Sequence, residues 1–173
     1  IIEAAFEEIE LKKKLFKKID NIAQSGAILA TNTSGLDINE IAQATNRPEN
    51  VIGLHFFSPA NVMKLLEIVQ AKKTDAITVR SCMSIAHQIH KIPVLVGVCH
   101  GFVGNRILWA RTKQAHRLLG EGIMPWDVDG ALNVFGFKMG PFQMSDLAGL
   151  DLGWSKGSKT QYPVKDALCE MGR

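Results

Sequence analysis

The sequence predicts an α/β protein: a parallel β-sheet with helices over residues 1–100, followed by an all-helical region over residues 101–173. Three observations carry this expectation. Short apolar runs of strand length recur at residues 27–31, 51–57, 64–69 and 93–98. Stretches with apolar residues at helical spacing lie between most of them. Beyond Gly101 only helical spacing remains. Strands alternating with helices argue for a parallel sheet covered on both faces, because each crossover helix packs back onto the sheet.

The elements follow in order. Residues 1–6 (IIEAAF) read as the end of a buried strand. Leu11, Leu15, Ile19, Ile22 and Ala23 set a helix over 7–24 that stops near Gly26. Its lysines, Lys12, Lys13, Lys14, Lys17 and Lys18, read as a solvated face. Glu8 and Glu10 stand four residues before Lys12 and Lys14, the favourable order for helical ion pairs. The strand 27–31 ends in the turn-forming Asn32-Thr33-Ser34-Gly35, and a short helix over 37–44 leads to the strands 51–57 and 64–69. A helix over 74–90 and the strand 93–98 complete the sheet. Helices over 103–119, 125–135 and 141–150 follow, and 153–163 reads as loop. There is no internal repeat and no low-complexity tract.

Composition bounds the function. The chain has 173 residues, 46% apolar and 21% charged, with no apolar run near the roughly 18 residues of a membrane helix. No membrane insertion is expected. The net charge of +3, much of it from the one lysine cluster, does not argue for nucleic acid. Three cysteines, Cys82, Cys99 and Cys169, form neither a CxxC nor an even framework and fit a reducing compartment. The chain opens at Ile1, inside a strand, and is expected to be a piece of a longer polypeptide.

Chemistry concentrates in Gly53-Leu-His-Phe-Phe-Ser-Pro-Ala-Asn-Val-Met-Lys-Leu-Leu-Glu67-Ile-Val. One apolar run delivers His55 and the next delivers Glu67. Burying Glu67 among Leu65, Leu66, Ile68 and Val69 costs several kcal/mol unless something hydrogen-bonds it, and an imidazole is the obvious partner. A His–Glu pair moves protons near neutral pH. Ligands of open parallel sheets bind outside the carboxyl ends of the strands. Asn32 and Ser34 follow one strand, His55 and Ser58 end another, and Asn105 sits in the first turn of the helix opening the second region. The backbone thus permits one cluster of Ser34, His55, Glu67 and Asn105. Each residue also has an ordinary use: His55 as a satisfied core histidine, Glu67 facing water, Ser34 as a turn residue and Asn105 as a helix cap. His87 and His90 are three apart on a helix without a third ligand, so no metal site is expected. His100 and His116 have no evident partners, and neither does Cys99, which makes it a poor nucleophile.

At these residues the chain resembles the NAD-dependent L-3-hydroxyacyl-CoA dehydrogenases of fatty-acid β-oxidation. The segments that carry the likeness are IIEAAFE (1–7), ATNTSGL (30–36), GLHFFSP (53–59), MKLLEIV (63–69), GFVGNRIL (101–108) and GFKMGPFQMSDLAGLD (136–151), with LCEMGR (168–173) matching weakly. The resemblance implies the C-terminal part of a Rossmann-like sheet followed by the family's helical substrate and dimerisation domain. It implies NAD as cofactor and an acyl-CoA as substrate. His55 would be the general base, Glu67 its orienting partner, and Ser34 and Asn105 hydrogen-bond donors to the substrate 3-oxygen. Glu7 and Lys12 match positions near the nicotinamide ribose and the CoA or cofactor phosphates, and Asn32 and Ser58 lie on the cofactor side. The family's glycine-rich phosphate loop would precede Ile1, so the isolated segment is expected to bind NAD poorly. Ser58, where many single-function members have Asn, and GFKMGPFQMSDLAGLDLGW are more similar to the multifunctional hydratase–dehydrogenases, notably the peroxisomal type. That implies an upstream enoyl-CoA hydratase domain in the same chain and a peroxisomal location, with the mitochondrial matrix or a bacterial cytoplasm as alternatives. Single-function relatives pair through the helical region, so a homodimer is the alternative assembly. Two rivals remain at this point: a catalytically silent acyl-CoA-binding or structural relative, and a sister dehydrogenase for a non-CoA hydroxy acid, which would carry a different base, commonly lysine.

Overall fold

In the computed structural model, which describes residues 1–157 and 159–172, contacts cluster into two units, 1–106 and 107–173. Ser158 and Arg173, which the loop 153–163 and the segment LCEMGR include, lie outside the described residues.

The first unit carries β1 (Ile2–Glu3), α1 (Ile9–Ile22), β2 (Leu29–Thr31), α2 (Ile38–Gln43), β3 (Val51–Phe56), β4 (Leu65–Gln70), α3 (Ala76–Gln88) and β5 (Ile92–Gly97). The strands lie in sequence order, β1-β2-β3-β4-β5. Successive residues of the central strands serve opposite faces. Leu29, Val51 and Val69 join Phe16, Ile38, Ile41 and Phe102 in one buried cluster. Their neighbours Ala30, Ile52 and Ile68 join Leu54, Leu66, Val79, Cys82 and Ala86 in the other. That two-sided burial is why these strands read as continuous apolar runs rather than as alternating ones.

Three features differ from expectation. The sheet is mixed: β1-β2, β2-β3 and β4-β5 are parallel, but β3-β4 is antiparallel. Residues 57–64 are too few for the crossover of a dozen or more residues that a parallel return needs. Coverage also fails at one edge, where Ile92, Val94 and Leu95 of β5 are 59%, 40% and 48% exposed. Strand β1 is shorter than the apolar run 1–6, with Phe6 in solvent.

Helix α4 (Gly104–Gly120) begins in the first unit and leads into the second, which holds α5 (Pro125–Phe135), α6 (Pro141–Ala148) and α7 (Pro163–Glu170). The described residues of 153–162 form no helix or strand, as expected, and an unexpected helix α7 follows, opened by Pro163 at its first position, where a missing N–H costs nothing. Buried Asp129 of α5 accepts the amides of Phe142 and Gln143 (3.0 and 2.9 Å) and so caps α6. Gly140 is glycine because any side chain there would enter Asp129.

Candidate active site

The antiparallel pairing of β3 with β4 places His55 directly opposite Glu67. Residues so paired project from the same face of the sheet, and here the face is the one that carries Val51, Val69 and Phe102. The imidazole Nδ1 lies 2.7 Å from Glu67 Oε2, with His55 5% and Glu67 1% exposed. The other oxygen, Oε1, accepts the backbone N–H groups of Val103 (2.9 Å) and Gly104 (2.8 Å) at the start of α4. A carboxylate accepting on both oxygens leaves Nδ1 as the protonated nitrogen and Nε2 as the one with a free lone pair. Three charge-assisted bonds, each worth about 1.5–3 kcal/mol, offset the cost of burying the carboxylate. Glu67 therefore does not face water, and His55 is no lone core histidine.

The turn before α4 supplies those amides. Gly101 and Phe102 both adopt positive φ, 68° and 49°, which turns the next two N–H groups toward Glu67. For Phe102 that backbone is uncommon, and its fully buried ring fixes it in place 5.8 Å from the imidazole centroid. Cys99 Sγ donates to the Phe102 carbonyl at 3.3 Å, and Arg106 Nη1 lies 3.7 Å from the same sulfur. Phe57 packs on His55 at 4.4 Å between centroids.

Ser34 is joined to this turn through Asn105, whose Nδ2 donates to the Ser34 carbonyl at 3.2 Å. The Ser34 amide and hydroxyl both donate to Glu7 Oε1, at 2.7 and 3.0 Å, and Thr33 Oγ1 adds a third bond at 2.6 Å. Burial pushes the Glu7 carboxyl up, but Thr33, Ser34 and nearby Lys12 outweigh it and hold Glu7 below the usual carboxylate range. Asn32 Oδ1 accepts the Phe56 amide at 2.9 Å and ties the end of β2 to the end of β3. All these groups belong to the first unit.

Two expected residues stand apart. Lys12 is 1% exposed, and its ammonium donates to Glu3 Oε1 (2.8 Å) and the Ala5 carbonyl (3.2 Å), with Glu7 at 3.6 Å. Its donors are spent inside the protein, and Lys12 is not the helical partner of Glu8. The solvated ion pairs of α1 run instead from Lys13 to Glu10 and Glu40. Ser58 lies exposed in the loop after β3, before the cis bond to Pro59.

Comparison with known proteins decides the family. Residues 1–99 match the profile of the 3-hydroxyacyl-CoA dehydrogenase, NAD binding domain, and residues 101–170 that of the 3-hydroxyacyl-CoA dehydrogenase, C-terminal domain. The chain belongs to the 3-hydroxyacyl-CoA dehydrogenase family. It is 47% identical to the human peroxisomal bifunctional enzyme, matching across all of this chain but only 27% of that protein. The chain thus spans about a quarter of the curated relatives it matches. Among solved structures it is similar to 3-hydroxybutyryl-CoA dehydrogenase from Escherichia coli, with a TM-score of 0.82 and 40% identity, covering 87% of this chain and 32% of that one. The dehydrogenase part of multifunctional enzyme 1 from C. elegans matches all of this chain and 41% of its own, with a TM-score of 0.68 and 33% identity.

The residues at the end of β2 fit part of a dehydrogenase's NAD. Glu7 offers an anionic acceptor beside the exposed Ser34 hydroxyl, and Asn32 is half-buried between two strand ends; this set suits the hydroxyls of a ribose. It offers no free cation for a phosphate, since Lys12 is consumed by Glu3. Sequence reasoning did not find the amides of Val103 and Gly104, Thr33, or the rings of Phe57 and Phe102. The glycines of GFVGN were the one available signal, because such spacing marks backbone aimed at a partner.

Proposed function

We propose that this segment carries the acid–base pair of a longer enzyme that oxidises (S)-3-hydroxyacyl-CoA to 3-oxoacyl-CoA with NAD, with His55 as general base, and that the segment is inactive when isolated. The observation that carries the reading is the Glu67 carboxylate held between Nδ1 of His55 and the amides of Val103 and Gly104. That arrangement leaves Nε2 to take the proton of the substrate 3-hydroxyl, and Glu67 stabilises the imidazolium that results. In the reverse direction the same nitrogen returns the proton. Asn105, through the second hydrogen of its amide, and Ser34, once its hydroxyl turns from Glu7, donate hydrogen bonds to the 3-oxygen as charge develops on it. Glu7 and Asn32 would hold the nicotinamide ribose of NAD, which when bound would supply the hydride acceptor. The two regions, 1–100 and 101–173, act as the NAD-binding part and the substrate part.

The peroxisomal bifunctional and multifunctional proteins among the relatives support two further readings: a longer parent polypeptide with an upstream enoyl-CoA hydratase domain, and a peroxisomal location. The test uses NADH oxidation with acetoacetyl-CoA by the full-length parent, beside the same protein carrying His55→Ala. Turnover is expected to fall by about 10²–10⁴-fold in the variant while NADH binding survives. Acyl-CoA binding without turnover in the unaltered protein would instead identify a silent relative, and turnover indifferent to the change would remove His55 from the reaction.

A further inference from the structure

We infer that Phe57 is a positioning residue that fixes the plane of the His55 imidazole, and that Gly104 is glycine to make room for it. The inference rests on the reading of His55 as base. Phe57 follows β3 directly, and its ring lies 4.4 Å from the imidazole centroid at an interplanar angle of 46°. The Cζ and Cε1 edge of the ring lies beside Gly104 at the start of α4. A Cβ on Gly104 would stand 2.7 Å from Phe57 Cζ, closer than real Cβ atoms come, and 3.1 Å from Cε1, tighter than nearly all do. Gly104 does not adopt positive φ, so conformation does not demand glycine there. The demand comes from the ring, whose Cζ where it now stands leaves no room for a Cβ at Gly104.

The same glycine donates its N–H to Glu67 Oε1 at 2.8 Å, and the missing Cβ would lie 3.7 Å from that oxygen. One backbone unit therefore seats both the carboxylate that holds Nδ1 and the ring that limits tilt of the imidazole. A single hydrogen bond at Nδ1 leaves the ring free to rock about Cβ–Cγ. Phe57 on one flank, with Phe102 5.8 Å away, removes that freedom and keeps water from the Nδ1–carboxylate bond. Phe57 touches neither reacting atom in this account; it acts through His55.

The test compares the full-length parent with Phe57→Leu, Gly104→Ala and the double variant in NADH-dependent reduction of acetoacetyl-CoA. Phe57→Leu is expected to lower kcat on the order of 10–100-fold with KM within about twofold. Gly104→Ala keeps the N–H but displaces the ring, and is expected to lose a similar factor. In the double variant the losses do not multiply, because the alanine no longer has a ring to displace. A second readout is the imidazole signal of His55 after histidine-selective ¹⁵N labelling, assigned by its loss in His55→Ala. Protonation at Nδ1 alone is expected in the parent, and averaging between the two tautomers in Phe57→Leu. Should Phe57→Leu fail to fold, Gly104→Ala reads the same contact. An unaltered tautomer in the variants overturns the proposal, whatever kcat does, as do multiplying losses in the double variant. An inactive parent would defeat the dehydrogenase reading, while the tautomer signal still decides the role of Phe57.

Discussion

Glu67 satisfies three donors with two oxygens, and the donors have two origins: a side chain across the sheet and two amides at the start of α4. Lys12 shows the same logic serving stability. Its ammonium is closed in by Glu3, and Thr31 Oγ1 donates to the other Glu3 oxygen at 2.8 Å. Replacing Lys12 by Met strands the buried Glu3 carboxylate, so equilibrium unfolding in urea is expected to show a loss of about 3–5 kcal/mol. Lys14→Met, on the exposed side of the same helix, is expected to stay within about 0.5 kcal/mol. Equal small effects from both would contradict the burial of the Lys12 pair. Polar residues inside apolar runs made His55 and Glu67 legible in the sequence. Lys12 was not separable from Lys13 and Lys14, because a run of lysines carries no mark of which one turns inward. Donors from the backbone, such as Val103 and Gly104, leave almost no trace in residue type.

At the scale of elements, the twelve-residue separation of His55 and Glu67 already permitted the strand return that pairs them, yet the alternation of strands and helices elsewhere argued for an all-parallel sheet. Loop length settles the matter, since 57–64 closes only an antiparallel pair. Periodicity placed α1 to α6 within a few residues, because each carries its apolar stripe locally. Helix α7 escaped, as its eight residues present one buried side chain, Cys169. The second unit also gives His116 partners that spacing did not reveal: it stacks on Tyr162 at 4.2 Å and meets the edge of Phe142 at 5.3 Å. Burial first, and the Lys165 charge second, push His116 below its ordinary 6.5. The unfolded chain therefore binds a proton that the folded one refuses. Stability attributable to His116 is complete above pH 6.5 and is lost as pH falls from there toward the lower folded value. Urea midpoints at pH 7.5 and 5.5 are expected to differ more in the unaltered chain than in His116→Phe. Identical differences in both would show that His116 contributes no such dependence.

At the scale of the molecule, the first unit holds the His55–Glu67 pair, the Ser34–Asn105 link and the Glu7 acceptor, and it matches the family's NAD-binding domain almost throughout. The second unit answers to the family's C-terminal domain and supplies none of the groups in that network. The central claim is that Glu67 keeps the proton on Nδ1 and so leaves Nε2 to act. Glutamine at position 67 tests it without loss of volume. With its oxygen toward Val103 and Gly104, its NH₂ faces Nδ1, which must then accept; the ring proton moves to Nε2 and the base is lost. The measurement is steady-state reduction of acetoacetyl-CoA by NADH in the full-length parent and its Glu67→Gln variant. In the variant kcat is expected to fall by about 10²–10⁴-fold, with KM and NADH affinity held. A kcat within about twofold of the parent would contradict the claim.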